Sequence, residues 1–242
     1  MSAEIEKSYR DFEKRWQEQR KKSECDLKSS AIFKLSFKRL IAMQAWRVEL
    51  FDELMPSGAS EFVLEAQNDL LIAHIQARSG QWRSALQAQR AAIENYLNSL
   101  FFLDHPIELR LWNKGSFRTT FSELCKYIEG YPFDIYVQEN DSGLGQIKKE
   151  YALLSMAVHG SAKSFRMTKS GGASFFTADQ MSLGKWNTRN RLLVKAINSI
   201  LLCFFYKYLL GAKKRNLRKS IGLIMSPKEK KKVKQTYGVN IL

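Results

Sequence analysis

Three polar side chains at helical spacing form the motif with the clearest chemical potential in this chain. Tyr151, Ser155 and His159 follow one another at i, i+4 and i+8, so a helix over this stretch places them on one face. His159 would stand at the C-terminal end of that helix, where the helix dipole favours a protonated imidazole. Such an imidazole can transfer protons, so His159 and Ser155 are candidate catalytic residues.

A second polar stripe lies in the apolar stretch that begins at Trp82. Arg90 and Glu94 are spaced as an i, i+4 ion pair beside Asn95, and most residues around them are apolar. If this helix packs against the one that carries Ser155, the two stripes meet in a small buried network. The alternative is structural: the Arg90–Glu94 pair only fixes the helix register.

The third candidate site is a concentration of positive charge near the end of the chain. Residues 180–242 carry 15 Lys and Arg residues and one acid, Glu229, and so supply +14 of the net charge of +15. Residues 1–179 are nearly neutral. Two clusters hold most of the excess: Lys213, Lys214, Arg215, Arg218 and Lys219, then Lys228, Lys230, Lys231, Lys232 and Lys234. Clusters that neutralise phosphates give salt-dependent, sequence-tolerant nucleic-acid binding.

Other interpretations of this basic region stay open at the level of sequence. An acidic protein partner, a solvated cationic tail and attachment to a membrane surface all fit a run of charge. Ser226 and Pro227 have the form of a helix start, with Ser as the N-cap and Pro at the first helical position. An apolar run, residues 221–225, separates the two clusters. The pattern therefore predicts a partly folded helical arm rather than a frayed end.

The elements that position these residues are predicted to be helices. Prolines and glycines are sparse, and the intervals between them are periodic at helical spacing. Helices are predicted over residues 4–22, 31–54, 60–77, 82–102, 107–112, 117–130, 144–158 and 187–210. Residues 161–184, rich in Ser, Thr and Gly, predict a long loop or a small hairpin.

The predicted fold is an all-α, irregular helical bundle. It divides into an N-terminal helical segment (1–55) with a highly charged first helix, a bundle (56–212) and a basic C-terminal arm (213–242). The apolar run over residues 196–212 is short for a membrane span and contains Lys207. A buried core helix is therefore the prediction, with no integral membrane segment.

Composition narrows the class of protein further. The chain is 45% hydrophobic, enough for a substantial core, so wholesale disorder is not expected. Cys25, Cys125 and Cys203 lie far apart without CxxC or Cys/His spacing, which argues against disulfides and zinc and predicts a cytoplasmic protein. The charged N-terminus does not have the composition of a signal peptide. No cofactor or metal is expected, because phosphate-loop, dinucleotide, zinc-protease and serine-hydrolase motifs are absent.

Three segments together resemble the HEPN-like helical proteins of prokaryotic defence and abortive-infection loci. They are residues 80–94, residues 104–109 and the motif that runs from Tyr151 through Ser155 to residues 159–161. The resemblance covers roughly residues 60–210 and implies a helical bundle whose relatives often act on nucleic acid. In the family that the chain resembles, ribonuclease members carry an Arg with four to six residues between it and the helix-end His. That pair polarises the phosphate and performs acid–base chemistry on the RNA 2′-hydroxyl, often across a dimer interface.

The chain has the histidine of that motif, as His159, but lacks its arginine. The positions five to seven residues upstream are Leu154, Leu153 and Ala152. Without a nearby cation, the charge that develops on the phosphorane has no stabiliser. Arg90 from the neighbouring helix is the candidate substitute.

These observations favour a non-catalytic accessory subunit of a prokaryotic anti-phage or anti-plasmid defence complex. It is expected to bind DNA or RNA, or a nuclease or ATPase subunit that carries it, through the basic C-terminal region. The alternative is a metal-independent HEPN-type ribonuclease toxin that uses His159, with Ser155, Arg90 and Glu94 as the other candidates. The resemblance also admits a homodimer.

Overall fold

The computed structural model of the chain describes residues 3–28, 31–133, 142–159, 168–169, 172–173 and 176–242. Within these residues the fold is all-α, as the sequence predicts. The helices are α1 (Ala3–Leu27), α2 (Ala31–Trp46), α3 (Asp52–Leu54), α4 (Ser57–Arg78), α5 (Trp82–Asp104), α6 (Pro106–Asn113), α7 (Phe121–Glu129), α8 (Leu144–His159), α9 (Gln180–Phe205), α10 (Arg215–Gly222) and α11 (Pro227–Tyr237).

Shorter elements complete the described part of the chain. A π-helical turn (Arg47–Phe51) joins α2 to α3, and a 3-10 turn (Tyr206–Leu209) extends α9. Two-residue strands, β1 (Thr168–Lys169) and β2 (Gly172–Ala173), pair antiparallel, which agrees with the hairpin alternative for that segment. Residues 160–167, 170–171 and 174–175 lie outside the described residues.

Two helices begin earlier than the sequence periodicity indicates. Helix α9 starts seven residues before the predicted position, because Asp179 caps it by accepting hydrogen bonds from the backbone N–H groups of Met181 and Ser182. Helix α4 starts at Ser57, directly after Pro56. Both differences lie at element ends: a side-chain cap fixes the start of α9, and the proline before Ser57 fixes that of α4.

Helix α5 occupies the centre of the bundle and contacts α4, α6, α7, α8 and α9. The turn that joins it to α4 depends on Gly80, which has a φ of +74°. A Cβ atom there would lie 2.7 Å from the carbonyl oxygen of Thr177, so the turn excludes a side chain on both counts. The same carbonyl accepts a hydrogen bond from Trp82 Nε1 at 2.8 Å, which fixes the start of α5.

Helix α9 is a core helix, and buried polar contacts join it to α2. Trp46 is fully buried and donates from Nε1 to Asn198 Oδ1 at 2.8 Å. About two turns earlier on α2, Arg39 donates to Asn190 and Asn187, which lie about two and three turns before Asn198 on α9. Because each of these groups would lose hydrogen bonds if α2 slid along α9, the contacts fix the register of the two helices.

The apolar run that was compared above with a membrane span lies in this core helix. Among the described residues, one helical stretch, Gln180–Leu209, is long and apolar enough to cross a membrane by length and composition. In the fold, 61% of its most apolar window is buried inside the protein. This run therefore packs mostly inside the protein, as the sequence predicts for a core helix.

The basic C-terminal arm consists of two helices that pack onto the body. Six apolar residues from this region belong to the same core cluster as Leu27 and Trp46: Leu217, Ile221, Val233, Tyr237, Val239 and Ile241. Helix α11 begins at Ser226 and Pro227 as predicted, with a reciprocal capping box between Ser226 and Glu229. The three predicted segments, 1–55, 56–212 and 213–242, thus all contribute to one core.

Candidate functional site: the Arg90 network and the C-terminal cationic surface

The two polar stripes predicted from sequence meet where α5 packs on α8. Arg90 donates from Nε to Ser155 Oγ at 3.1 Å and from Nη2 to the Tyr151 hydroxyl at 2.5 Å. It also forms an ion pair with Glu94 at 3.0 Å. Tyr151 in turn donates to Glu94 at 2.8 Å, so the four side chains form a closed network.

Aromatic packing holds this network in one arrangement. Phe121, at the start of α7, stacks on the Tyr151 ring with 3.6 Å between ring centroids. The Arg90 guanidinium lies 4.6 Å from the centre of the same ring. Burial, followed by the hydrogen bond to Glu94, raises the pKa of Tyr151 to about 12, so the phenol stays protonated and can donate. The network is therefore a neutralised, hydrogen-bonded joint between two helices.

The Arg90 guanidinium has little capacity left for a substrate. Its Nε and both terminal nitrogens already donate to Ser155, Glu94 and Tyr151, and the Glu94 carboxylate neutralises its charge. A phosphate-polarising arginine needs N–H groups directed at the ligand. The contacts favour the structural interpretation of Arg90 and Glu94.

His159 lies apart from the closed network, at the exposed end of α8. Ser155 is one turn earlier on that helix, about 6 Å along the axis from the helical rise. Among the described residues, Arg83 reaches the last turn of α8 and donates from Nε to the carbonyl of Ala157 at 2.9 Å and from Nη2 to that of Val158 at 2.8 Å. Arg83 thus caps the helix end on which His159 stands.

Sequence reasoning missed Arg83, although its signal was present. It lies seven residues before Arg90, which places both arginines on the same face of α5. Gly160 and Ser161, the last two residues of the histidine motif, lie outside the described residues.

Replacing Tyr151 with phenylalanine tests the network directly. The change removes the hydroxyl that joins Arg90 to Glu94 and leaves the stacking on Phe121 in place. We expect the free energy of unfolding to fall by about 1–2 kcal/mol, because two half-buried charged groups lose a hydrogen-bonding partner. Urea denaturation measures it.

The matched control is Tyr9→Phe on α1, since Tyr9 also contacts a glutamate but is exposed. We expect that variant to stay within about 0.5 kcal/mol of the natural protein. Equal losses for the two variants would mean that the network contributes no stability of its own.

The second predicted site is a cationic surface made by α10 and α11. Seven of its ten predicted residues are exposed: Lys213, Arg215, Lys219, Lys228, Lys231, Lys232 and Lys234. Lys214 and Lys230 are half-buried, with Lys214 paired to Glu53 at 2.7 Å and Lys230 donating to the Leu242 carbonyl at 2.9 Å. Arg218 is buried and donates to the Asn240 carbonyl at 3.2 Å, so it supports the fold rather than the surface.

The exposed cations fall on defined faces of the two helices. Lys228, Lys231 and Lys232 stand at i, i+3 and i+4 on α11, and Arg215 and Lys219 stand at i and i+4 on α10. The opposite face of α11 is held in the core by Val233 and Tyr237, and that of α10 by Leu217 and Ile221. We call these five exposed cations the C-terminal cationic surface. Its charges are carried on docked helices, so little chain entropy opposes binding.

The single acid of this region is half-buried, and a lysine of α9 neutralises its charge. Glu229 forms an ion pair with Lys195 of α9 at 2.6 Å and accepts hydrogen bonds from Ser226. Burial opposes its ionisation, but the bonds from Lys195 and Ser226 outweigh that cost and hold the pKa of Glu229 below its usual value. This carboxylate therefore anchors α11 to α9.

The comparisons with known proteins assign no function to this chain. The chain matches no protein-family model, no curated protein and no solved structure. Among the described residues, no group of three or more His, Cys, Asp or Glu side chains is placed to hold a metal ion.

Proposed function

We propose that this protein is a non-catalytic helical subunit that binds nucleic acid through its C-terminal cationic surface. The observation that carries the proposal is the set of exposed cations on α10 and α11, whose opposite faces are buried in the core. Cations repeated on each helical turn neutralise successive phosphates without reading base edges. All five lie within four residues of another member on the same helix, which suits contact with a continuous phosphate backbone.

The composition of the surface favours phosphate contact over base reading. Four of its five members are lysines, which act as flexible point charges, and only Arg215 has a planar fork that can bind a guanine edge. The proposed ligand is therefore DNA or RNA bound with little sequence preference. The test is whether these cations, and not an equal number elsewhere, set the affinity for nucleic acids of unrelated sequence and its dependence on salt.

A second surface supports the accessory-subunit part of the proposal. An apolar groove of about 310 Å³ lies between α2 and α4, and Ile41, Leu64 and Leu71 line it with large exposed fractions. Exposed apolar patches rimmed by polar residues are typical of protein–protein contacts. A nuclease or ATPase partner and a place in a prokaryotic defence complex follow from the resemblance to HEPN-like proteins.

The alternative function is a metal-independent ribonuclease that uses His159. The observation that favours it is a pair of arginines on one face of α5. Arg90 contacts Ser155, and Arg83 contacts the last turn of α8, where His159 stands. Against it stand the bonds that occupy both guanidinium groups. The non-catalytic proposal has the stronger support.

Replacing His159 with alanine separates the two functions. A ribonuclease of this type would cleave RNA in the presence of a chelator, and the variant would lose at least about 100-fold in rate. We expect instead that the natural protein and the variant both leave RNA intact. Because His159 is exposed, the natural protein and the His159 variant should have the same thermal unfolding midpoint. Lys149→Ala on the same helix is the control for both cleavage and stability. Chelator-resistant cleavage that disappears only in the His159 variant would replace our proposal with the ribonuclease.

A further inference from the structure

A cationic cleft opens where α2 meets α4 and the end of α1. Its volume is about 740 Å³, within the range of small-molecule sites in proteins. Lys34 and Lys38 line it from α2, Arg78 from the end of α4 and Lys28 from the residue after α1. We call it the α2–α4 cleft.

The four cations of this cleft lack acidic partners in the described part of the chain. All four are exposed, and none forms an ion pair with any described carboxylate. Lys34 and Lys38 stand at i and i+4, so they lie on one face of α2 with their Cβ atoms about 6 Å apart. Like charges gathered in a concave site repel one another and attract an anion.

A buried arginine, Arg39, adds to the positive potential in the cleft. Arg39 is only 6% exposed and is held by Asn190 and Asn187, two neutral amides, rather than by a carboxylate. Burial and the neighbouring Arg191 lower its pKa to about 10, which leaves it charged at neutral pH. Desolvation of a guanidinium without a counterion is costly, and an anion in the adjoining cleft would offset part of that cost.

The floor and wall of the cleft are aromatic. His74 is buried, with Nδ1 3.2 Å from Ser36 Oγ and its ring edge-on to Phe33 at 5.7 Å. Burial, then Arg78 and Arg39, lower the pKa of His74 to about 4, so the ring is neutral at pH 7. Phe37 stands at the rim, 53% exposed, with its ring centre 6.4 Å from that of His74.

The exposed ring of Phe37 would contribute nothing to the binding of an inorganic anion alone. Aromatic side chains beside basic residues are the usual platform for a nucleic-acid base, since every base has a π-face. The other lining group that could contact a base is His74, whose neutral ring can donate or accept one hydrogen bond. The cleft therefore suits a ligand with several negative charges and one planar ring.

We infer that the α2–α4 cleft binds a nucleotide, with its phosphates against Lys34, Lys38 and Arg78 and its base on Phe37. This site is distinct from the C-terminal cationic surface and does not depend on the function proposed for it. The nucleotide could come from two sources: a free nucleoside triphosphate or a unit of a single-stranded nucleic acid.

Isothermal titration calorimetry with the full chain tests the cleft at 50 mM salt. The probes are adenosine triphosphate, inorganic triphosphate and a five-nucleotide oligo-dT. We expect the double variant Lys34→Gln/Arg78→Gln to weaken nucleotide binding at least tenfold, because two phosphate contacts are lost. Phe37→Ala should weaken adenosine triphosphate about 5- to 100-fold by loss of stacking and leave inorganic triphosphate unchanged.

Two controls make the result specific. Lys7→Gln/Lys14→Gln on the exposed α1 removes the same charge elsewhere and should leave binding unchanged. Lys228→Gln/Lys231→Gln/Lys232→Gln removes charge from the C-terminal cationic surface and should also leave adenosine triphosphate binding unchanged. All variants change exposed residues, so their unfolding midpoints should match that of the natural protein.

The outcomes separate cleanly. Adenosine triphosphate that binds more tightly than oligo-dT identifies a free nucleotide, and the reverse order, with the same sensitivity to Phe37→Ala, identifies a single strand. The inference would be overturned if neither adenosine triphosphate nor oligo-dT binds. It would also be overturned if inorganic triphosphate binds as tightly as adenosine triphosphate and Phe37→Ala has no effect. Loss of binding only in the α11 variant would overturn it as well.

Discussion

Replacing Lys228, Lys231 and Lys232 with glutamine will weaken duplex binding by the full chain about 10- to 100-fold at 100 mM salt. These three lysines lie on one exposed face of α11, and each is expected to neutralise a phosphate and release a counterion. The slope of log affinity against log salt should therefore become less steep by about 2 to 3. Fluorescence anisotropy with labelled DNA and RNA duplexes, over a range of salt concentrations, measures both quantities.

The control removes the same charge from another exposed helix. Lys7, Lys14 and Lys22 lie on α1 and are exposed, so their glutamine variant has the same net charge as the α11 variant. We expect its affinity and salt slope to stay close to those of the natural protein. If the two triple variants lose affinity equally, net charge and not the C-terminal cationic surface drives binding, and the proposal fails. Duplexes of unrelated sequence should bind alike, because the lysines contact phosphates.

The choice of point substitutions over truncation follows from the packing of this region. Removing residues 213–242 would take Leu217, Ile221 and four further apolar residues out of the shared core. Loss of binding by such a fragment would then report unfolding as much as lost contacts. Surface lysines on docked helices can be changed without that ambiguity.

The meeting of Arg90 with Tyr151 and Ser155 was predictable from sequence for a physical reason. Each helix carries one polar stripe on an apolar background, and buried polar groups need hydrogen-bonding partners. Two such stripes satisfy one another when the helices pack. The Arg90–Glu94 pair was also predictable from its spacing, whereas the hydroxyl of Tyr151, which bonds to both charged groups, becomes evident only in the fold.

The C-terminal region shows where a charge pattern is ambiguous. Sequence marks the start of α11 at Ser226, since Ser as N-cap followed by Pro at the first helical position is typical of a helix start. It also placed Arg218 among the phosphate-binding cations, whereas Arg218 is buried. Arg218 lies three residues before Ile221, so both lie on one face of α10, and this spacing was the signal for its burial. Which face of α10 packs on the body, however, depends on the helix that it contacts.

Sites assembled from distant segments were beyond the reach of sequence patterns. Lys34 and Lys38 are recognisable as neighbours on a helix, yet their approach to Arg78 depends on how α2 packs against α4. The uncompensated charge of Arg39 is likewise invisible until Asn187 and Asn190, about 150 residues away, are seen to be its partners. Periodicity describes one helix at a time, and these features arise between helices.

Replacing Leu217 with alanine will lower the free energy of unfolding by about 2–5 kcal/mol. Leu217 is 0% exposed and packs in the shared core, so the change removes buried methyl groups and leaves a cavity. Leu223→Ala is the matched control, because Leu223 follows the same helix but is 54% exposed. We expect it to cost no more than about 0.5 kcal/mol. Urea denaturation of the full chain gives both values.

The comparison decides whether the cationic surface is preformed. A large loss for Leu217→Ala alone means that α10 is part of the cooperative fold, and the lysines of α11 reach a ligand already ordered. Equal, small losses would mean that the C-terminal helices detach without disturbing the body. Nucleic-acid binding would then have to order about 30 residues, and the affinity per contact would fall, because fixing each residue opposes binding by about 1–2 kcal/mol.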